Sequence, residues 1–190
     1  MQKIFSWGGG KILELELPDW RIWIPELVDQ FTLNQESAGK SHKIGGRWEN
    51  LYIDISVVPA ARIPIRIARD FGKELLDISS VILYEPLANT LDQKPPFWFN
   101  YAKPGESTGL HDHSELSALS GVIYLSAKPS SGNLYFHKDG EVDLEIMPSI
   151  GKLVLFEPWM RHGVRENLSD QNRLSMAFNL FPFPLPIMNL

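Results

Sequence analysis

The chain has 190 residues and a mass of 21.6 kDa, with 44% hydrophobic and 22% charged residues, which is typical of a folded globular protein. No apolar run approaches the roughly 20 residues that span a bilayer, and the N-terminal segment lacks a signal-peptide core, so we expect a cytoplasmic protein. The net charge of −5 disfavours a nucleic-acid partner. The absence of cysteine excludes disulfides, thiolate metal sites and cysteine nucleophiles, so any metal must be held by His, Asp or Glu.

The first half of the chain predicts two strands and two helices. Short strands at 4–7 and 12–17 flank a run of three glycines. Apolar residues at helical spacing predict one helix from Trp20 to about Gln35 and a second over Pro64–Ile78. The polar, glycine-containing stretch Ser37–Trp48 predicts a loop between them.

From about Pro95 the pattern changes to short strands separated by turn signals. The predicted strands cover residues 97–101, 117–125, 132–136, 142–146, 151–156, 162–165 and 173–181. Such spacing predicts a β-barrel or β-sandwich, and helices followed by a β-core give an α+β order. We expect a single domain over 1–190. Its parts are N-terminal strands and supporting helices (1–94), the β-core (95–181) and a proline-rich tail across the barrel surface (182–190).

Three of the five histidines fall in the predicted β-core at positions that suit a metal site. His111 and His113 are two residues apart, so on a strand their imidazoles share a face while Asp112 points away. His162 begins a later strand, and a rolled-up β-fold can bring it to the same mouth. Imidazoles suit iron, zinc, copper and nickel, although histidines on strands also serve in packing. His42 falls in the predicted loop and has no assignment.

The last predicted strand alternates an apolar face with a polar one. The apolar face should pack outward against the helices or the tail, and the polar face carries Arg173 and Ser175. If the polar face lines the interior, the guanidinium needs a partner, because an unpaired buried charge is costly. Arg173 with Ser175 would then form a clamp for a carboxylate. The alternative is an arginine on an exposed face, paired with Glu or Asp.

An ordered series of motifs runs through the β-core. In chain order it comprises Tyr101-x-x-x-Gly105, His111-Asp112-His113, Ser120-Gly121-Val122-Ile123-Tyr124-Leu125, Gly132-Asn133-Leu134-Tyr135-Phe136, Gly151–Phe156, Pro158-Trp159, His162-Gly163-Val164 and Arg173. The series resembles the Fe(II)/2-oxoglutarate-dependent dioxygenases, in particular the small 2-oxoglutarate/Fe(II) oxygenases of bacteria and phages with an H-x-H…H pattern. The resemblance covers about residues 95–181 well and the N-terminal half loosely, where Gly45-Gly46-Arg47-Trp48 has a counterpart.

The resemblance implies a mainly β, double-stranded β-helix (a jelly-roll, cupin-like core) with the N-terminal helices packed on one sheet. It implies Fe(II) held by His111, His113 and His162. The family's common triad has a carboxylate at the second position, so a third imidazole is a departure that leaves the site one negative charge poorer. Asp112 is the alternative to His113, and it requires a bulge that turns its side chain inward.

The resemblance also implies 2-oxoglutarate as co-substrate. Arg173 and Ser175 would hold its C5 carboxylate, and the Tyr124 hydroxyl could donate to it. Tyr101 and Asn100 are further candidates near the same mouth. No catalytic residue beyond the metal site is expected.

The implied function is hydroxylation of an unactivated C–H bond, with release of succinate and CO2. The expected partner is a small-molecule or peptide substrate, with no nucleic acid and no membrane, and a homodimer is compatible with the sequence. Two alternatives stay open: a three-His cupin-like metal dioxygenase or isomerase that does not use 2-oxoglutarate, and a non-enzymatic β-helix binding module. Arg173 discriminates, because the cupin-like enzyme needs no carboxylate clamp there.

Overall fold

The computed structural model describes residues 2–44, 47–82, 95–113 and 117–184. These residues form two α-helices, α1 (Trp20–Asn34) and α2 (Arg62–Leu76), and thirteen strands. The strands are β1 Gln2–Trp7, β2 Gly10–Glu16, β3 Gly39–Ile44, β4 Arg47–Tyr52, β5 Ser80–Val81, β6 Phe97–Ala102, β7 Thr108–His111, β8 Leu119–Ser126, β9 Leu134–Phe136, β10 Leu144–Ile146, β11 Lys152–Phe156, β12 His162–Val164 and β13 Arg173–Pro182.

The strands form two antiparallel sheets. The larger sheet has the order β1-β2-β11-β8-β13-β6-β4-β3, with β5 pairing the far end of β13. The smaller sheet has the order β10-β9-β12-β7. From β6 onward the chain crosses to the other sheet at each connection except the β9–β10 hairpin, which stays in the smaller sheet. This places β6, β13, β8 and β11 opposite β7, β12, β9 and β10. This is a jelly roll, and the predicted double-stranded β-helix is confirmed.

Both helices lie on the outer face of the larger sheet, as predicted. Helix α2 is strongly amphipathic, and Ile65, Ala68 and Leu76 on its apolar stripe are buried. The side chains that join the helices to the sheet include Trp23, Leu27 and Phe31 of α1, Phe97 and Phe99 of β6, Ile123 of β8, Leu155 of β11, and Met176 and Phe178 of β13. Burial of an aliphatic or aromatic side chain of this size contributes about 1.5–3 kcal/mol. Packing therefore fixes which face of β13 points to the helices.

A second, smaller core lies between the two sheets. It consists of Ile12, Val122, Leu134, Phe136, Ile146, Val154, Phe156 and Met160. Neighbouring residues of one strand contribute to different cores, as Val122 and Ile123 of β8 show. Successive side chains of a strand point to opposite faces, so the strands also direct some polar side chains into the space between the sheets. These polar side chains line a cavity at the end of that space which the smaller core does not fill.

One expectation for the N-terminal half is wrong. The stretch Ser37–Trp48, predicted as a loop, contains β3 and the start of β4, which pair in register from Gly39↔Tyr52 to Ile44↔Arg47. An edge strand tolerates glycine and lysine because one side is solvated, so the apolar alternation is missing. The sequence does contain a hairpin signal, Gly45-Gly46 between two short arms.

Other boundaries agree within a few residues, although α2 begins two residues before the expected Pro64. The division into 1–94, 95–181 and 182–190 stays a prediction, and most of the proline-rich tail lies outside the described residues. Neither α1 nor α2, the helices of the described ranges, is long and apolar enough to cross a bilayer.

Gly121 of β8 tests the close packing of the larger sheet. A Cβ there would lie 2.4 Å from Cζ of Phe178 and 2.7 Å from Cδ2 of Leu155. We expect Gly121→Ala to lower the free energy of unfolding by about 1–3 kcal/mol through overpacking, measured by urea denaturation. Gly39→Ala is the matched control, because the nearest atoms to its Cβ lie at 3.8 Å. Equal stability of the two variants would contradict the packing described.

Candidate metal and co-substrate site

Three histidine side chains meet at one end of the space between the sheets. His111 ends β7 and His162 begins β12, and the two are direct cross-strand partners. His113 lies two residues beyond β7, where its backbone N–H donates to the carbonyl of Pro158 at 2.8 Å. One ligand-capable atom from each residue lies within 4.8 Å of the others. The structure thus brings together the three histidines selected from the sequence.

Two of the rings are held in one tautomer by the backbone. Nδ1 of His111 lies 2.8 Å from the carbonyl oxygen of Gly109, and Nδ1 of His162 lies 2.8 Å from that of Met160. A carbonyl oxygen only accepts, so both Nδ1 atoms carry the proton and both Nε2 atoms keep a free lone pair. Metal-binding histidines show this arrangement, because the second hydrogen bond orients the ring and raises its basicity.

Two of the three imidazoles are neutral at neutral pH. Burial, followed by the neighbouring His111, lowers the pKa of His162 to about 3. The same two causes lower the pKa of His113 to about 4. Deprotonated imidazoles are the form that a metal ion requires.

Asp112, the alternative second ligand, lies outside this cluster. Its side chain is exposed, and no carboxylate of the described residues belongs to the group of three. His113 converges on the other two although it follows the strand instead of lying on it. The sequence predicted that His111 and His113 would share one face of a strand. The two rings do meet, but the hydrogen bond from the backbone N–H of His113 to Pro158, in the turn before β12, holds His113 there.

Arg173 lies on the inner face of β13, opposite the helices. Only 1% of the residue is exposed, and Nη1 donates to the carbonyl of Ser131. Gly132 permits this position, because a Cβ there would lie 2.7 Å from Nη1 of Arg173 and 2.1 Å from the carbonyl oxygen of Arg165. Burial lowers the pKa of Arg173, yet an arginine remains cationic in proteins.

Ser175, Tyr124 and Asn100 also lie on this inner face and line the same cavity. Burial raises the pKa of Tyr124 to about 12, so its hydroxyl is a neutral donor. Tyr101 is not brought to the cavity. Strand alternation turns its ring to the helix side, 6.3 Å from the ring of Phe31, where its hydroxyl accepts a hydrogen bond from Asn172.

Unsatisfied polar atoms concentrate around Arg173. Five buried side-chain atoms of the described residues lack a hydrogen-bond partner, and four of them belong to Arg173 (Nε), Tyr124, Arg47 and Glu49. The hydroxyl of Tyr124 and the charged groups of Arg47 and Glu49 all interact electrostatically with the guanidinium of Arg173. Arg173 forms no ion pair within the ranges the structure describes. Native proteins leave few buried polar groups unpaired, so this end of the cavity fits a polar, anionic ligand.

The triad and Arg173 share one cavity of about 400 Å³. Trp98 and Phe156 enclose the imidazoles, with ring centroids 5.4 Å from His113 and 4.5 Å from His162. Three converging imidazole nitrogens fit a divalent transition metal such as iron, and a buried guanidinium beside a phenol fits a carboxylate. The residues present thus suit Fe(II) and a dicarboxylate co-substrate.

Sequence reasoning missed the contribution of the β3–β4 hairpin to this cavity. His42, Lys43, Glu49, Asn50 and Tyr52 all line it. The signal that could have found them is the Gly45-Gly46 pair, which predicts a hairpin in place of a loop.

The comparisons with known proteins agree with this geometry. The sequence model of the family described as "Putative 2OG-Fe(II) oxygenase" matches residues 139–179, a stretch that contains His162, Arg173 and Ser175. No curated protein matches the chain in sequence. The match agrees, over this stretch, with the resemblance to the Fe(II)/2-oxoglutarate-dependent oxygenases.

Several solved structures share the fold. A prolyl-4-hydroxylase from Pseudomonas putida is 16% identical, with a TM-score of 0.65 and coverage of 90% of this chain and 92% of that one. A prolyl hydroxylase from Trichoplax adhaerens, solved with a hypoxia inducible factor peptide, is 11% identical, with a TM-score of 0.65 and coverage of 90% and 83%. The epimerase SnoN, solved with Fe3+, alpha ketoglutarate and nogalamycin RO, is 14% identical, with a TM-score of 0.65 and coverage of 90% and 78%. At these identities the likeness shows the fold alone.

The second ligand position gives a direct test of the site. We expect His113→Ala to lose Fe(II), because only two imidazoles remain, whereas Asp112→Asn retains it. Metal content after anaerobic loading and desalting measures both. The converse result, metal lost in Asp112→Asn and kept in His113→Ala, would mean a two-His, one-carboxylate site and a bulged strand.

Proposed function

We propose that this protein is an Fe(II)- and 2-oxoglutarate-dependent oxygenase that hydroxylates an unactivated C–H bond of a small-molecule or peptide substrate. The observation that carries the proposal is the pairing of two features in one cavity. One is a cluster of three imidazoles, and the other is a buried arginine with an unpaired Nε and no ion-pair partner among the described residues.

His111, His113 and His162 would hold Fe(II) through their free ring nitrogens. The carbonyls of Gly109 and Met160 keep two of the rings in the ligating tautomer. Bound iron and 2-oxoglutarate, with dioxygen as the oxidant, would supply the oxidising chemistry: 2-oxoglutarate loses CO2 and takes up one oxygen atom to become succinate, and the other oxygen atom enters the C–H bond of the substrate. The protein supplies binding, orientation and exclusion of water.

Arg173 would bind the C5 carboxylate of 2-oxoglutarate, with Ser175 beside it on the same face of β13. Tyr124 would donate its hydroxyl proton to the same carboxylate. The Nε of Arg173 and the hydroxyl of Tyr124, which have no hydrogen-bond partner within the described structure, would each gain one. The 1% exposure of Arg173 and of Tyr124 excludes water from competing for these bonds.

The buried cation also separates this proposal from the two alternatives. A three-His cupin-like dioxygenase without 2-oxoglutarate would have no reason to bury an arginine that forms no ion pair. A binding module without an active metal would have no reason to bring three imidazole nitrogens together. Both features occur in the same cavity, which favours the 2-oxoglutarate-dependent reaction.

The affinity for 2-oxoglutarate tests this assignment. Arg173→Ala removes a charge-assisted pair from a buried site, which costs about 2–5 kcal/mol. We expect roughly a 30- to 4,000-fold weaker affinity at 1.4 kcal/mol per tenfold. Arg173→Lys should recover only part of the loss, because an ammonium group cannot form the two-pronged pair. The measurement is anaerobic calorimetric titration with Fe(II) present.

Fe(II) affinity in Arg173→Ala is the internal control and should change little, because the arginine does not contact the triad's free nitrogens. Tyr124→Phe should weaken 2-oxoglutarate about 10- to 100-fold, the effect of one hydrogen bond to a charged carboxylate. An unchanged 2-oxoglutarate affinity in Arg173→Ala would make the cupin-like enzyme the better account.

A further inference from the structure

The β3–β4 hairpin places a histidine in an uncommon backbone conformation at the mouth of the cavity. His42 has φ of 56°, in the left-handed region that few residues other than glycine adopt. Its ring lines the cavity that holds the triad. His113 of the triad lines the same cavity. Strained residues of this kind concentrate at functional sites.

A chain of hydrogen bonds fixes the tautomer of His42. Nδ2 of Asn100 donates to the backbone carbonyl of Glu49 at 2.9 Å, so the NH2 group of Asn100 must face it. The same Nδ2 lies 3.0 Å from Asn50, which must therefore present its oxygen there. The NH2 group of Asn50 then faces Nδ1 of His42 at 3.2 Å.

Nδ1 of His42 is consequently an acceptor. Oγ of Ser41 lies 2.9 Å from the same nitrogen. The neutral ring must then carry its proton on Nε2. The side chain of His42 is exposed at the cavity mouth, so this N–H is an available donor.

The surroundings of His42 indicate the kind of group that it meets. Tyr52 and Trp98 pack together with ring centroids 6.0 Å apart and both line the cavity, with Trp98 also against His113. Lys43 adds a cation to the lining. A donor beside aromatic walls and a cation suits an oxygen acceptor attached to an apolar body.

Building on the proposed function, we propose that His42 binds the primary substrate, donating Nε2–H to a carbonyl or carboxylate oxygen. The apolar part of that substrate lies against Trp98 and Tyr52. Asn50 is a positioning residue, because it acts only by holding His42 in the donating tautomer.

The first experiment measures the tautomer without turnover. In protein labelled with 15N-histidine and loaded with Zn(II) and 2-oxoglutarate, long-range 1H–15N spectra should show His42 protonated on Nε2 alone. Asn50→Asp should convert it to the Nδ1–H form or to the imidazolium, because a carboxylate only accepts. An Nδ1–H tautomer in the wild-type protein would overturn the proposal.

The second experiment uses two compact probes that share an apolar ring. N-acetyl-L-prolinamide offers only carbonyl oxygens, and N-acetyl-L-proline adds a carboxylate. At least one should shift the Nε2 signal of His42. His42→Asn keeps a residue that tolerates the left-handed backbone but lacks the reach of Nε2. It should weaken the amide about fivefold, or the carboxylate about 10- to 100-fold.

His42→Gln should recover part of the binding, because its amide can place a donor near the position of Nε2. His137→Asn is the matched control, since His137 bonds Asp143 and Asp139 outside this cavity, and it should bind both probes as the wild type does. If neither probe shifts His42 while 2-oxoglutarate still binds, the His42 proposal fails alone. If His42 responds as expected but 2-oxoglutarate does not bind, the proposed function fails.

Discussion

A guanidinium that is almost fully buried requires an anion, and this requirement links the last strand to the chemistry of the cavity. Helix packing against Met176 and Phe178 forces the alternate residues of β13 inward, so Arg173 cannot escape to solvent without unpacking the larger core. Gly132 leaves room for the arginine, and Ser131 satisfies one of its nitrogens. Hydrophobic burial on one face of the strand thus maintains an unpaired cation on the other, which a carboxylate ligand would neutralise.

In the histidine cluster, the backbone determines which ring nitrogen of a histidine carries the proton. His111 and His162 come from paired strands of the smaller sheet, and each donates Nδ1–H to the carbonyl two residues earlier in the chain. Their free nitrogens therefore point to a common position before any metal arrives. Burial keeps His113 and His162 deprotonated. Little reorganisation or proton release is then required when a cation binds.

The sequence predicts this region well because the period of two is enforced wherever one face of a strand is buried. The polar face of β13 follows from that period alone, whereas His113 lies beyond the end of β7 and reaches the other histidines through its backbone hydrogen bond to Pro158. Strand alternation could also have separated Asn100 from Tyr101, since adjacent residues point to opposite faces. The β3–β4 hairpin is different, because an edge strand with little apolar alternation carries no periodic signal. The role of His42 depends on side-chain hydrogen bonds between separate strands, which no local pattern contains.

The central claim is that one cavity holds iron and 2-oxoglutarate together. Anaerobic titration of the protein with Fe(II) and 2-oxoglutarate, followed by visible absorption, tests it most directly. The account predicts a weak metal-to-ligand charge-transfer band that develops only when both are present and saturates at one equivalent of each. Absence of the band while Fe(II) still binds stoichiometrically would contradict the account, because the metal would then lack the co-substrate that Arg173 is expected to hold.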